Sequence, residues 1–438
     1  MLNRKNFTKL VLVLISILST SLDAQQKLSL KEAISVALEN NYDIRIAKSD
    51  AAISENNYSV GNAGFLPSLN VSASQTKTVS NTKQEYSSGQ LVDKSSSASD
   101  NTSASASLNW TVFDGLKMFI SLSKLKELKE IGEVKLRSQV ETSVADIIKY
   151  YYDIVRQKHN YNVTLESVAI SEQRLKITEE KFSVGSASKL EVLSAKVDLN
   201  TDRSNLLNQE VVLNGLKVSL NTLLGRKTSE EFDVDDHFEI LTGLNYDLLL
   251  EQAYKNNVDV LQSEKSKNVS SYDVGIYRAE YMPRFTLSSG YTYSNALSDA
   301  GFFKSNKTYG YNYGLSLSWN LFNGFATTLQ YQNALINLDK SEIKLQQTKA
   351  IVESNLITAF KNYEKNNEIL ALETENVSVA KENLDLAMEQ IRLGSISPIE
   401  FRDVQKNYIT AQSRLSSAQF NAKISERDLL KQSGGLVN

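Results

Sequence analysis

SLNWTVFDG (107–115) and SLSWNLFNG (316–324) are two versions of one segment, and between them they hold both tryptophans of the chain, Trp110 and Trp319, 209 residues apart. Upstream, FLPSLNVS around Pro67 matches YMPRFTLS around Pro283, and ALENNYDI (37–44) matches AYKNNVDV (253–260), both pairs at a separation of 216. Downstream, the separation of 209 holds without a gap from Gly185 and Gly394 to Gly225 and Gly434. Chance does not align the rarest residues of a chain with 3 prolines and 2 tryptophans, so the sequence is an internal duplication with copies at roughly 25–228 and 245–435. The separation falls by 7 between Pro67 and Trp110, which makes one segment of the first copy longer. That segment, Ser80 to Asn101, is rich in Ser, Asn, Thr and Gly and reads as a loop. Between the copies, 229–244 opens with SEEFDVDDHFE (229–239), which is acidic, unrepeated and reads as a linker; its spacing lacks the glycine of an EF-hand calcium loop.

The segments that flank the loop alternate. In the second copy one parity carries Phe285, Leu287, Tyr291 and Tyr293, then Tyr309, Tyr311, Tyr313, Leu315, Leu317 and Trp319. The other parity carries Thr286, Ser288, Gly290 and Thr292, then Asn312, Gly314, Ser316 and Ser318. A period of two predicts strands, near 66–79, 102–113, 284–294 and 308–322. The first copy repeats the scheme more weakly through Leu69, Val71, Ala73, Leu108 and Trp110. Alternation alone fits a soluble sheet or a membrane barrel; tyrosines gathered toward one end, opposite a Gly, Ser and Asn face, are the pattern of a barrel with an aromatic girdle and a wet lumen. Four strands cannot close a pore, because even the smallest membrane barrels use about eight. Several chains must share one barrel, and three would supply twelve strands.

Beyond Gly115 and Gly324 the alternation stops. From Leu116 to about Ser183 there is no proline and one glycine, Gly132, so a single helix of about 100 Å is allowed at 1.5 Å per residue. Val140, Val144, Ile147, Tyr151 and Ile154 step by four and three, as in a coiled-coil seam. The counterpart from Phe325 to about Leu393 carries Leu356, Phe360 and Tyr363. Helices of about half that length are predicted near 31–64 and 187–223, the first opened by a capping box of Ser29 and Glu32. Two short helices end to end would cover one long one.

Composition removes most other classes. With no Cys and only His159 and His237, there is no disulfide framework, cysteine nucleophile or cysteine metal site. No GxSxG, HExxH, P-loop or dinucleotide fingerprint is present, so neither an enzyme nor a cofactor is expected. The first 24 residues place Arg4, Lys5 and Lys9 before an apolar run from Leu10 to Leu18, the plan of a cleaved secretory signal. That run is short of the roughly 20 residues of a membrane anchor. Its removal moves the net charge from −3 to −5, which is not that of a nucleic-acid binder. No later stretch has 18 consecutive apolar residues, so a membrane can be entered only with strands.

LSLKEAISVALENNYDI, LPSLNVSAS, the two tryptophan segments, FSVGSASKLEVLSA and IRLGSISPIEFRDVQ, in that order and duplicated, resemble the TolC-like outer-membrane efflux channel family over essentially the whole mature chain. The resemblance implies an α+β membrane protein: a homotrimer whose twelve-stranded β-barrel, four strands per chain, continues into a periplasmic α-helical barrel. It implies outer-membrane lipid around Trp110, Tyr291, Tyr293, Tyr309, Tyr311, Tyr313 and Trp319, and a periplasmic adaptor at the tips Val184, Gly185, Ser186, Leu393, Gly394 and Ser395. The inner-membrane transporter would be of RND or ABC type. It places Glu400 and Asp403 at a periplasmic pore constriction, with Glu191 as the first-copy equivalent. The sequence departs from the family pattern at Ile391 and Ile396, where aromatic and basic latch residues are found, and at Arg402 between the two acids. The competing reading is a periplasmic coiled-coil adaptor or scaffold without a pore.

Overall fold

The computed structural model describes residues 27–437; the expected signal segment, 1–24, lies outside them. In chain order the elements are β1 (Lys27–Leu28), α1 (Leu30–Asn40), α2 (Tyr42–Asn57), β2 (Ser68–Glu85), β3 (Leu91–Phe113), α3 (Lys117–Ser183), α4 (Lys189–Leu224), β4 (Asp233–Val234), α5 (Tyr246–Asn256), α6 (Val258–Ala279), β5 (Arg284–Ser298), β6 (Ser305–Ser318), α7 (Ala326–Leu393) and α8 (Pro398–Gln432). They form two compact units. One joins Asp50–Val134 to Leu261–Thr348, and the other joins the residues up to Ser49, Lys135–Val260 and Lys349–Asn438. Among the described residues no helix is long and apolar enough to cross a membrane.

The first unit holds an antiparallel sheet of order β2-β3-β5-β6. Its register carries the alternation across all four strands: Val71, Ala106, Tyr291 and Tyr311 form one row, and Trp110, Leu287 and Leu315 another. On the opposite face Ser72 meets Ser105 at 2.9 Å and Ser74 meets Ser103 at 2.8 Å. Among the described residues both outer strands, β2 and β6, are unpaired on their far sides and leave open edges.

The expected loop from Ser80 to Asn101 is a correction. β2 continues to Glu85, β3 begins at Leu91, and the turn is only Tyr86–Gln90, with Gly89 at φ 83°. Ser, Thr and Asn favour loops because their side chains compete for the backbone; here the ladder between β2 and β3, which runs on to Glu85 and Leu91, gives the backbone cross-strand partners that outweigh that competition. The extra residues of the first copy lengthen a hairpin. A bulge lies between Ser80 and Thr82, where Ser96 takes φ 56° and donates its N–H to Asn81 Oδ1 at 2.9 Å. β5 runs on to Ser298, whereas β6 stops at Ser318, before Trp319.

The second unit is built on helix seams. Val144, Ile147, Tyr151 and Ile154 of α3 are buried against Leu220 and Leu224 of α4, Ala33 and Ala37 of α1, and Phe232 and Val234. Each large aliphatic side chain so buried contributes about 1.5–3 kcal/mol. The acidic segment between the copies is therefore more than a linker. Asp233 and Val234 pair in parallel with Lys27 and Leu28, and the Tyr151 hydroxyl donates to Leu28 O at 3.1 Å.

The first predicted helix is also divided. It breaks at Asn41 and ends at Asn57. Asn41 Nδ2 donates to Leu223 O at 2.7 Å while its Oδ1 accepts the Ile44 N–H at 3.0 Å. Asn257 does the same in the second copy, donating to Gln432 O at 2.9 Å. The NN pairs of ALENNYDI and AYKNNVDV thus end one helix, cap the next and hold the C-terminus of a third.

Candidate functional site: helix tips and constriction

The tips are turns of one design. α3 ends in a Gly185 at φ 80°, with Ser186 N donating to Lys181 O at 2.8 Å; α7 ends in a Gly394 at φ 79°, with Ser395 N donating to Gln390 O at 3.0 Å. Only glycine takes that backbone conformation without strain. Val184, Gly185, Ser186, Leu393, Gly394 and Ser395 are all exposed. Lys181 Nζ donates to Ile391 O at 2.6 Å and links the two turns.

Each return helix opens with a capping box. Ser397 Oγ accepts the Glu400 N–H at 3.2 Å and Glu400 Oε2 accepts the Ser397 N–H at 3.0 Å. Ser188 and Glu191 repeat this at 3.2 and 2.8 Å. Both predicted constriction acids of this type therefore have a structural task as well. The Ser-x-x-Glu spacing at 188–191 and 397–400 was the available signal, the same one that marks Ser29 and Glu32. The Ser397 backbone N–H and hydroxyl hold the Glu400 carboxyl below the usual range. Glu400 and Asp403 are exposed, and Glu191 is partly covered.

Ile391 and Ile396, expected at latch positions from the resemblance, pack inward. Ile391 is buried with Ile170, Leu384, Phe401 and Tyr408, and Ile396 covers the same cluster. Polar connections across the helices join Arg402 to Asp202, Ser171 and Gln405 and, through Gln405, to Ser167, partners that the sequence did not single out. Arg402 grips Asp202 of α4 with two hydrogen bonds, Nη1 to Oδ2 at 2.8 Å and Nη2 to Oδ1 at 2.9 Å. Ser171 of α3 donates to Asp202 Oδ2 at 2.5 Å, and Gln405 Nε2 donates to Ser167 O at 3.2 Å. Burial would raise the Asp202 carboxyl, but the hydrogen bonds from Arg402 and Ser171 outweigh it and hold the group below its usual value. No sequence spacing announces a pair 200 residues apart.

The tryptophans occupy equivalent posts. Trp110 Nε1 donates to Phe65 O at 2.8 Å and Trp319 Nε1 to Tyr281 O at 3.0 Å, which ties the end of each copy's second strand to the turn before its first. Along the chain Leu315 and Leu317 separate Trp319 from Tyr309, Tyr311 and Tyr313, while Trp110 lies in register with Leu287 and Leu315, two pairs along from the row of Ser289 and Tyr313.

A four-stranded sheet with one apolar face and open edges, joined through continuous helices to paired helical hairpins, defines a subunit of a membrane channel. The family model described as outer membrane efflux protein matches residues 33–226 and 249–435, one match per copy, and the chain belongs to that family. It is an outer-membrane channel with a periplasmic helical extension, and the reading as a scaffold without a pore is overturned. Among curated relatives it is 25% identical over 426 residues to the probable efflux pump outer membrane protein TtgC of Pseudomonas putida, covering 93% of this chain and 83% of that one. It is 20% identical to the outer membrane protein TolC of Escherichia coli K12, covering 98% and 87%. Among solved structures, CusC superposes with a TM-score of 0.75 at 18% identity, over 93% of this chain and 92% of the other. VceC of Vibrio cholerae does so with 0.74 at 16%, over 93% and 96%.

Proposed function

We propose that three copies close one twelve-stranded barrel, β2 of each chain pairing with β6 of the next, and that the assembly carries cargo outward for an efflux or type I secretion complex. The observation that carries this is the open four-stranded sheet. Its two long edge strands would otherwise expose unpaired backbone groups in hydrocarbon, at several kcal/mol each. The helices support the same arrangement. Exposed on α4 are Leu190, Leu193, Val197, Leu207, Val211 and Val218, and on α7 Ile369, Leu372, Val379, Leu386 and Leu393, both at coiled-coil spacings. Those stripes are the contact between neighbouring copies.

The Tyr and Leu face of the sheet meets lipid, and the Ser, Asn and Gly face lines the lumen. The exposed tips receive a periplasmic adaptor, and an inner-membrane transporter of RND or ABC type supplies the energy. In the trimer Glu400 and Asp403 become two rings of three carboxylates, with Glu191 beside them, a constriction that favours cations.

Membrane fractionation tests the assembly. The solubilised protein is expected to come from the outer membrane at the mass of three chains and to dissociate on heating; a soluble monomer overturns the proposal. For the constriction, Glu400→Ala with Asp403→Ala is expected to raise single-channel conductance and weaken cation preference in planar bilayers. Unchanged conductance and selectivity remove both residues from the pore.

A further inference from the structure

Arg402 stands between Glu400 and Asp403 in the sequence, yet it does not share their surface. Successive helical residues turn by about 100°, so Glu400 and Asp403 lie within about 60° of one another while Arg402 is about 160° from Glu400 and about 100° from Asp403. The two acids are exposed, but the Arg402 side chain is only 12% exposed, and Asp202, which it grips, 7%. Behind that pair Arg174 Nη1 meets Asp198 Oδ2 at 2.7 Å, and Arg402 Nε lies 3.7 Å from Asp198 Oδ1. Gln405 Oε1 accepts a further hydrogen bond from Arg402 Nη1 at 3.0 Å. Two guanidinium and two carboxylate charges are thus gathered into one cluster whose net charge is zero.

We propose that Asp202 determines the ion preference of the constriction, because it holds Arg402 in a neutral, covered pair turned away from the acids and leaves the charge of Glu400 and Asp403 uncompensated. The inference rests on the constriction proposed above. A bidentate ion pair has the weak, short-ranged field of a dipole, whereas a lone guanidinium is felt as a full charge over about 10 Å at 0.1 M salt. Arginine does not escape by losing its proton. Without Asp202, each chain of the trimer carries one unbalanced cation beside the acid rings. Whether that cation stays in place or swings toward Glu400, it subtracts from them.

The experiment measures reversal potentials of the purified full-length channel in planar bilayers under a KCl gradient. Asp202→Asn is expected to lower the cation-to-anion permeability ratio by about threefold. Asp202→Asn combined with Arg402→Gln, which removes both charges and leaves an amide pair able to hydrogen-bond, is expected to restore the wild-type ratio. A mechanical clasp would behave otherwise: both variants would raise conductance together, with no rescue of selectivity by the second substitution. Equal behaviour of the two variants overturns the proposal, as does an unchanged ratio in Asp202→Asn when Glu400→Ala with Asp403→Ala does shift it. If the Asp202→Asn channel does not assemble, Asp202→Ser, which leaves room for water beside Arg402, carries the same expectation. If Glu400→Ala with Asp403→Ala leaves the ratio unchanged, the constriction itself is overturned, and the inference with it.

Discussion

Gly225→Ala is expected to destabilise the helical unit by about 2–5 kcal/mol, enough to remove most of the protein from the outer membrane. Two costs combine. Gly225 ends α4 at φ 69° and ψ 26°, a left-handed conformation that costs a residue with a Cβ about 1–2 kcal/mol. The added Cβ would also lie 2.4 Å from the carbonyl oxygen of Asn40, and that atom is backbone that cannot rotate away. To make room, α1 must part from α4, which disturbs the Asn41 to Leu223 hydrogen bond and the Leu220 and Leu224 core. Gly434 repeats the arrangement at φ 72°, with a Cβ at 2.6 Å from Asn256 C. Gly215 is the contrasting site, since a Cβ there meets nothing within 4 Å, and its Ala variant should be at least as stable as the wild type. Heat-dissociation temperature of the solubilised oligomer distinguishes the three; equal temperatures for Gly225→Ala and Gly215→Ala would refute the packing argument.

The second large effect is expected from Leu315→Arg. Leu315 is 70% exposed in the single chain, in register with Leu287 and Trp110 and between Tyr313 and Trp319 along the chain. If their face of the sheet meets hydrocarbon, an arginine near the bilayer midplane costs about 2–4 kcal/mol per chain, and a trimer incurs it three times. Ser316→Arg, one residue along, points to the opposite face and is expected to insert normally and to alter conductance instead. Outer-membrane yield of the heat-modifiable species checks both. A sheet packed in a soluble assembly would show neither the contrast nor its dependence on parity.

Much of the architecture could be read from side-chain chemistry. The duplication was visible because Trp110, Trp319, Pro67 and Pro283 are rare, and the sheet faces because a strand alternates strictly. The Asn41 and Asn257 motifs were visible as a repeat, but their purpose was not, since each donates to a carbonyl contributed by a helix about 180 residues away. Ser80 to Asn101 misled because composition reports local preference, while ladder pairing is a property of two segments together. Glu400 illustrates a narrower failure. The Ser397 to Glu400 spacing announces a capping box, yet a carboxylate ending such a box and one facing a pore have the same sequence.

The sequence by itself determined whatever depends on near neighbours and on periodicity: the two copies, four alternating strands, two long helices uninterrupted by proline, and the glycine turns. These follow from backbone sterics and from the periods of 2 and 3.6 that write themselves into a chain. Only the tertiary structure decided that Arg402 belongs to Asp202 rather than to the acids beside it, that Phe232 and Val234 of the acidic segment enter the core, and that Gly225 must lack a side chain because Asn40 occupies the space. Those outcomes are set by contacts between residues far apart in the chain, and local pattern carries no record of which distant surface will supply the partner.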